Sequence, residues 1–290
     1  MKLPPFAYIC PTTLAEAIAI LAAREGEAKL LAGGQSLLPM LAFRLASPTL
    51  LVDLRKLSQL RQIEVTEDGV ALGAMVRWCE ILQDARLAKA HPLMATAVAH
   101  VAHYQIRNRG TVGGSLAHAD PAAELPGIAV TCDATVAVAG RSGRRDIAAA
   151  DFFHGPLMTA LKPDEIITAL RFPAWPARRR HGFAEFARRR GDFALAAAAV
   201  FYDEDSDGKA RNARVGAIGV ADRPLRLAAV EQVLNGQDID AATIVAAEAA
   251  AAASVDPPDD IHAGGAYRKT LIGVMVERAL QSASDGSRRC

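Results

Sequence analysis

The apolar positions of the first sixty residues alternate between a helical period and short unbroken runs. Leu14, Ala17, Ile18 and Leu21 recur at helical spacing. Thr13 followed by Glu16 is a capping pattern ahead of them, and Gly26 can close the helix in a left-handed conformation. Lys29-Leu30-Leu31-Ala32 reads as a short buried strand that breaks at Gly33-Gly34. A helix is expected to begin near Pro39, and Leu50-Leu51-Val52-Asp53-Leu54 reads as a second buried strand. Residues 1–56 therefore predict a small β-α-β unit. Ile63-Glu64-Val65 and Val70-Ala71-Leu72 flank Glu67-Asp68-Gly69, a hairpin signal. Two helical stretches follow, at about 78–88 and 91–103, and then a glycine-rich loop at 110–115. Strands are expected at Thr135–Ala139, Ile166–Phe172, Phe183–Ala187, Ala194–Phe201 and Val215–Val220, with mainly helix after Leu225 and a frayed tail from Ser284 to Cys290.

The chain has 290 residues, enough for about two domains. The segment 173–182 contains Pro173, Pro176 and the basic run Arg178-Arg179-Arg180-His181, and it marks the expected domain boundary. Hydrophobic residues make up 51% and charged residues 22%, a globular balance. The formal charge of +1 gives no electrostatic case for a nucleic-acid partner. Cys10, Cys79, Cys132 and Cys290 stand far apart with no CxxC, which argues against an iron–sulfur cluster or structural zinc within the chain. Scattered thiols suit the cytoplasm. No secretory signal or transmembrane span is expected, because the apolar runs are broken by charges too early.

Two glycine motifs carry the candidate chemistry. In Leu30-Leu31-Ala32-Gly33-Gly34-Gln35-Ser36-Leu37 a strand ends in two glycines and polar residues. Glycines let the backbone approach a phosphate, and successive free N–H groups form an anion nest. An ordinary tight strand-to-helix turn is the competing reading. The second motif, Gly110-Thr111-Val112-Gly113-Gly114-Ser115, could supply another nest for the far end of a dinucleotide, or be a surface loop. No G-x-G-x-x-G occurs, so a doubly wound dinucleotide fold is not expected.

The pairing of LLAGGQSLLPML with IRNRGTVGGSLAHADPAAELP resembles the FAD subunits of the molybdenum hydroxylases, which include carbon monoxide dehydrogenase medium subunits and the flavin domains of xanthine dehydrogenases. LVDLRKL, GVALGAMVRWCEI, EIITALRFP, FARRRGDFALAAAAV and AYRKTLIGVMVERAL extend the likeness along nearly the whole chain. The resemblance implies an α+β fold. A two-part FAD-binding domain of the vanillyl-alcohol oxidase (PCMH) type, residues 1–176 split at 56/57, would precede a C-terminal α+β domain, 177–290, with a small antiparallel sheet and helices. It further implies that Leu30, Leu31, Ala32, Gly33, Gly34, Gln35, Ser36 and Leu37 wrap the FAD pyrophosphate. Thr111, Val112, Gly113, Gly114 and Ser115 would follow the diphosphate and ribityl chain. Val101 and Ile167 would make apolar contacts, and Glu124 would lie near the ribose or adenine, with Asp120 a further candidate in the same loop. Where relatives often carry a tyrosine and a lysine, this chain has Phe183 and Glu185. A lysine near the flavin would favour its anionic reduced state, and a glutamate would oppose it.

No nucleophile–base pair, paired carboxylates or metal cluster emerges, as expected where the chemistry belongs to the cofactor. His100 and His103, three apart on an expected helix, read as a packed or surface pair. His118 and Asp120 read as organising the pocket, with a role in flavin protonation as the alternative. Arg178–Arg180 and Arg188–Arg190 read as solvated faces or as docking to an acidic partner, with Arg188 and Arg189 alternatively bracing the domain junction. Cys79 beside Trp78 reads as core. By resemblance, a molybdenum-cofactor large subunit and a two-iron two-sulfur small subunit are the partners, in a heterotrimer or its dimer, a heterohexamer. FAD would pass electrons to an external acceptor. The competing function is a stand-alone FAD-dependent oxidoreductase on the same cofactor fold.

Overall fold

The structure is a computed structural model that describes residues 2–24 and 26–285. Cys290 and all but the first two residues of the expected tail lie outside the described residues. Ser284 and Asp285 themselves continue the last helix, Gly265–Asp285.

The N-terminal unit is a parallel sheet in which Leu50–Asp53 lies between Ala7–Ile9 and Ala28–Leu31. The helix Leu14–Ala22 connects the outer strands and buries Leu14, Ala17 and Leu21, the face its periodicity marked. Thr13 Oγ1 accepts the N–H of Glu16 at 3.1 Å, as its cap pattern implies. The return bond of the motif is displaced by one residue, since Glu16 accepts from the N–H of Thr12 and not of Thr13. Gly26 is left-handed, with φ 81°. The strand Ala7–Ile9 has no counterpart in the sequence reading. It is short and its residues are exposed, so it carries no apolar signal.

An antiparallel sheet follows in the order Ile63–Thr66, Gly69–Gly73, Ile166–Pro173, Thr135–Gly140, Gly143–Ala148. A helical insertion between its second and fourth strands carries the second glycine motif. The expected helices there divide into Trp78–Gln83, Ala85–Ala90, Pro92–Val98 and Tyr104–Arg107. Asp84 causes the first break, because it turns out of helical geometry and its carboxylate accepts from the N–H of Arg86 at 3.0 Å. His100 and His103 consequently do not share a helix: His100 lies in the turn after Val98, and His103 precedes Tyr104. The segment 110–115, expected as a loop, runs from residue 112 into a short helix, Val112–His118.

A third sheet, antiparallel, runs Arg179–Phe186, Ala196–Glu204, Ala210–Ile218, Leu225–Arg226. Its outer face packs on Ala228–Leu234, Ala241–Ala253 and Gly265–Asp285 through Ala196, Ala198, Val200, Val215 and Ala217. Its inner face, with Phe183, Ala197, Ala199, Phe201 and Ile218, joins the same buried cluster as Leu125, Ile128, Val112 and Ile167 of the preceding region. Strand periodicity of two thus gives one sheet two cores. The basic run is absorbed within the chain. Arg179 pairs with Asp203 at 2.8 Å and stands over the Phe201 ring at 4.3 Å, while Arg180 pairs with Glu204 at 2.7 Å. Neither of these two arginines is a free docking charge. Arg188, Arg189 and Arg190 are exposed, and the structure shows no bracing contact for Arg188 or Arg189 among the described residues. Cys79 is half-buried, so it only borders the core, whereas Trp78 is fully buried.

Candidate cofactor site

The strand Ala28–Leu31 ends at Ala32, and the chain turns through Gly33 and Gly34 into the helix Leu37–Ala42. Gly34 is left-handed, φ 73°, which a glycine adopts without strain. The N–H groups of Gly33, Gly34, Gln35, Ser36 and Leu37 have no acceptor among the described residues, and this stretch is only half-buried. A run of unpaired amides is the donor set for an anionic group. Gln35 folds back, donating from Nε2 to the carbonyl of Gly33 at 2.9 Å, and this bond holds the turn. One of its two amide hydrogens is therefore held in the turn.

The second motif is built differently from the nest its glycines suggested. Val112 and Gly113 donate to the carbonyls of Val76 and Ala74 at 2.9 and 2.8 Å. The Gly114 N–H goes to Thr111 Oγ1 at 3.1 Å, and that of Ser115 to the Thr111 carbonyl at 3.0 Å. These amides are committed to the fold, so the second motif is not a nest. Its glycines serve close packing. A Cβ on Gly113 would stand 2.6 Å from Ala74 Cβ, and one on Gly110 2.6 Å from Trp78 Nε1. Gly114 faces the first loop, where Ala32 Cβ lies 3.8 Å from the position its own Cβ would take.

The two motifs meet through their backbones. A Cβ on Gly33 would collide with the carbonyl oxygen of Arg109 and stand 2.9 Å from Gly110 Cα. The first requirement for glycine here is thus the opposite loop rather than a ligand. Arg77 supports the contact from beneath, bridging to Thr111 and donating to the carbonyl of Asn108 at 3.2 Å. The first loop keeps its unpaired amides, the donor set a pyrophosphate needs, while on the second Ser115 is half-buried and Thr111, 3% exposed, spends its hydroxyl oxygen on the Gly114 N–H.

Val101 and Ile167 are 9% and 4% exposed and lie with Val112 and Leu116 in one buried cluster. Asp120 and Glu124 sit beyond the second motif. Asp120 caps its own turn by accepting from the N–H of Ala122 at 2.9 Å, and it makes no hydrogen bond with His118. A base–partner pair is therefore not present there. Glu124 is 5% exposed at the start of the helix Glu124–Thr131, and its carboxyl is pushed up to about 7 by burial and then by the charge of Asp120. Glu185, 61 positions further on, stands close enough for Glu124 to act on its titration. Sequence separation hid that neighbourhood.

Residues 4–175 match the family described as the FAD binding domain in molybdopterin dehydrogenase, and residues 181–283 match the CO dehydrogenase flavoprotein C-terminal domain. The chain belongs to the FAD-binding subunits of the molybdenum hydroxylases. It is 40% identical to the nicotine 6-hydroxylase medium subunit of Paenarthrobacter nicotinovorans, covering 98% of this chain and 99% of the relative. The carbon monoxide dehydrogenase medium chain of Hydrogenophaga pseudoflava is 34% identical, with 97% of both chains covered. Among solved structures, quinoline 2-oxidoreductase from Pseudomonas putida 86 superposes with a TM-score of 0.94 at 39% identity, covering 99% of both chains. FAD is the cofactor of this oxidoreductase subunit. The end-to-end match to subunits of this kind, both domains included, decides against the stand-alone flavoenzyme. Among the described residues, no helix is long and apolar enough to cross a membrane.

Proposed function

We propose that this chain accepts electrons from a two-iron two-sulfur small subunit, served by a molybdenum-cofactor large subunit, and delivers them through FAD to an external acceptor. The observation that carries the reading is the run of unpaired amides from Gly33 to Leu37, locked against the second motif at Arg109 and Gly110. Bound FAD supplies the redox chemistry, exchanging electrons singly or in pairs. The chain's residues bind and orient it. In this reading Ala32, Gly33, Gly34, Gln35, Ser36 and Leu37 hold the pyrophosphate, with Leu30 and Leu31 anchoring the loop. Thr111, Val112, Gly113, Gly114 and Ser115 line the opposite wall. Val101 and Ile167 give the pocket an apolar floor, and Asp120 and Glu124 border it. The FAD-binding domain occupies residues 1–176 and the C-terminal domain 177–290. The assembly is a cytoplasmic heterotrimer or its dimer, and the substrate is chosen by the large subunit.

Purification from the native host with the neighbouring gene products tests both parts. The expected complex shows a flavin absorption band together with molybdenum and iron. A colourless chain that cannot be loaded with FAD refutes the cofactor assignment. A flavin-loaded chain that never associates with metal-bearing subunits refutes the relay.

A further inference from the structure

The segment 101–110 touches the amide loop with its last two residues, since a Cβ on Gly33 would collide with the Arg109 carbonyl and stand 2.9 Å from Gly110 Cα. Two arginines hold this segment, one towards each end. Arg107 donates from Nη1 to the carbonyls of Val101 and Ala102 at 3.0 and 2.7 Å. Ala102 is left-handed, φ 44°, a conformation that costs an alanine energy, so its turn needs an outside hold. Gly191 of the third sheet's first loop packs on the same carbonyl, where a Cβ would stand 2.6 Å from the oxygen. Arg77 donates to the carbonyl of Asn108 at 3.2 Å, one residue before Arg109. Glu80 orients Arg77, accepting its main-chain N–H at 2.7 Å and lying 3.4 Å from both Nε and Nη2. Trp78 closes the underside: its N–H donates to the Gly110 carbonyl at 3.3 Å, and a Cβ on Gly110 would stand 2.6 Å from the indole nitrogen.

Other arginines of the chain serve carboxylates: Arg145 pairs with Glu165, Arg179 with Asp203 and Arg226 with Glu231. Arg107 makes no ion pair among the described residues and gives both of these hydrogen bonds to main-chain carbonyls. A bond from a charged donor is about twice as strong as a neutral one, so each guanidinium is a firm clamp on the backbone it grips. The place of that backbone matters beyond the segment itself. Gly33 rests on the Arg109 carbonyl, and the unpaired N–H groups of residues 33–37 follow directly. A main-chain oxygen has no rotamer to yield. A shift of residues 108–110 is therefore passed to Gly33 and turns the amides after it.

Resting on the FAD reading above, we infer that Arg77 and Arg107 are positioning residues for the cofactor. They act through residues 108–110 and Gly33, and so set the direction in which the amides of residues 33–37 present themselves to the pyrophosphate.

The test is FAD affinity of the full chain, stripped and reloaded, measured by flavin fluorescence at a temperature where circular dichroism shows every variant folded. Arg77→Met and Arg107→Met should each weaken binding by about two- to thirtyfold, the range for residues that couple to a ligand without touching it. Arg145→Met removes a guanidinium from the strand Gly143–Ala148 and should keep wild-type affinity, which separates positioning from a general loss of stability. A double-mutant cycle gives the decisive readout. Gly33→Ala already parts the two loops, so in that background either arginine replacement should weaken FAD by less than about twofold more. A purely structural role predicts losses that multiply. A folded Arg77→Met or Arg107→Met chain with wild-type affinity, or losses that multiply with that of Gly33→Ala, would overturn the assignment. A wild type that binds no FAD would overturn the cofactor reading itself.

Discussion

Replacing Gly33 with alanine adds one methyl group where two loops touch. That methyl would collide with the Arg109 carbonyl and press on Gly110 Cα, and both are backbone atoms with no rotamer to yield. The loops must part by a fraction of an ångström to more than one. Forced overpacking of this kind costs about 1–3 kcal/mol of stability. The larger effect falls on the cofactor, because Gly33 opens the run of amides and any tilt misdirects its neighbours. Hydrogen bonds to a charged group contribute roughly 1.5–3 kcal/mol each, so losing the alignment of one or two of them costs about 2–5 kcal/mol. FAD affinity should therefore fall roughly 30- to 3,000-fold. The assay is titration of the stripped chain with FAD, run beside a thermal melt. Gly26→Ala is the control. Unlike Gly33 it is left-handed, with open space around its Cβ position, so it should lose about 1–2 kcal/mol of stability and no affinity. A Gly33→Ala chain with wild-type affinity and melting temperature would show that the loops do not depend on this contact.

Three further outcomes follow from the packing. His91 is sandwiched between Phe172 and Trp175, each 4.5 Å away, and burial drives its pKa down to about 3. The unfolded chain takes up this proton below pH 6.5 and the folded chain does not, so stability is intact above that pH and falls on acidification by up to about 1.4 kcal/mol per pH unit, a slope that His91→Phe should lessen in urea melts. Arg268, 6% exposed, ties the last helix to the carbonyls of Leu195 and Gly219 at 2.8 Å and to the half-exposed Asp260 at 2.6 Å, so Arg268→Met should cost about 2–4 kcal/mol in denaturant titrations, mostly from the two carbonyls left without a donor. Arg145 grips the carboxylate of Glu165 with two bonds of 2.8 Å and also holds the Ala160 carbonyl, and Arg145→Met should cost about 1–3 kcal/mol, with the part due to Glu165 intact above the ordinary carboxylate range and shrinking as pH falls through the depressed pKa that Arg145 gives Glu165.

Local chemistry was the most readable part of the sequence. The Thr13 cap, the Glu67–Gly69 hairpin and the strand before Gly33 all follow from neighbours within a few residues, and the structure keeps them. The turn at the first glycine motif was readable for the same reason, but the need for glycine at Gly33 was not, since it comes from the Arg109 carbonyl of the opposite loop. The second misled, because its glycines answer to Ala74 and Trp78, more than thirty residues upstream, and no local pattern records that. Arg179 and Arg180 looked like a patch of charge in one dimension. In the sheet they face Asp203 and Glu204 on the adjoining strand. Glu185 showed only as a departure from relatives. Its burial beside Glu124 and His100 required the third sheet to close over the insertion.

The strand Ala196–Glu204 serves two cores at once, with Ala196 and Ala198 towards the last helix and Ala197 and Ala199 towards the cofactor half. A wall of such small side chains lets both layers approach closely and leaves no slack for either to slide. The spacing between the C-terminal helices and the cofactor half is therefore set once, during folding, by the width of an alanine strand and not by any later adjustment.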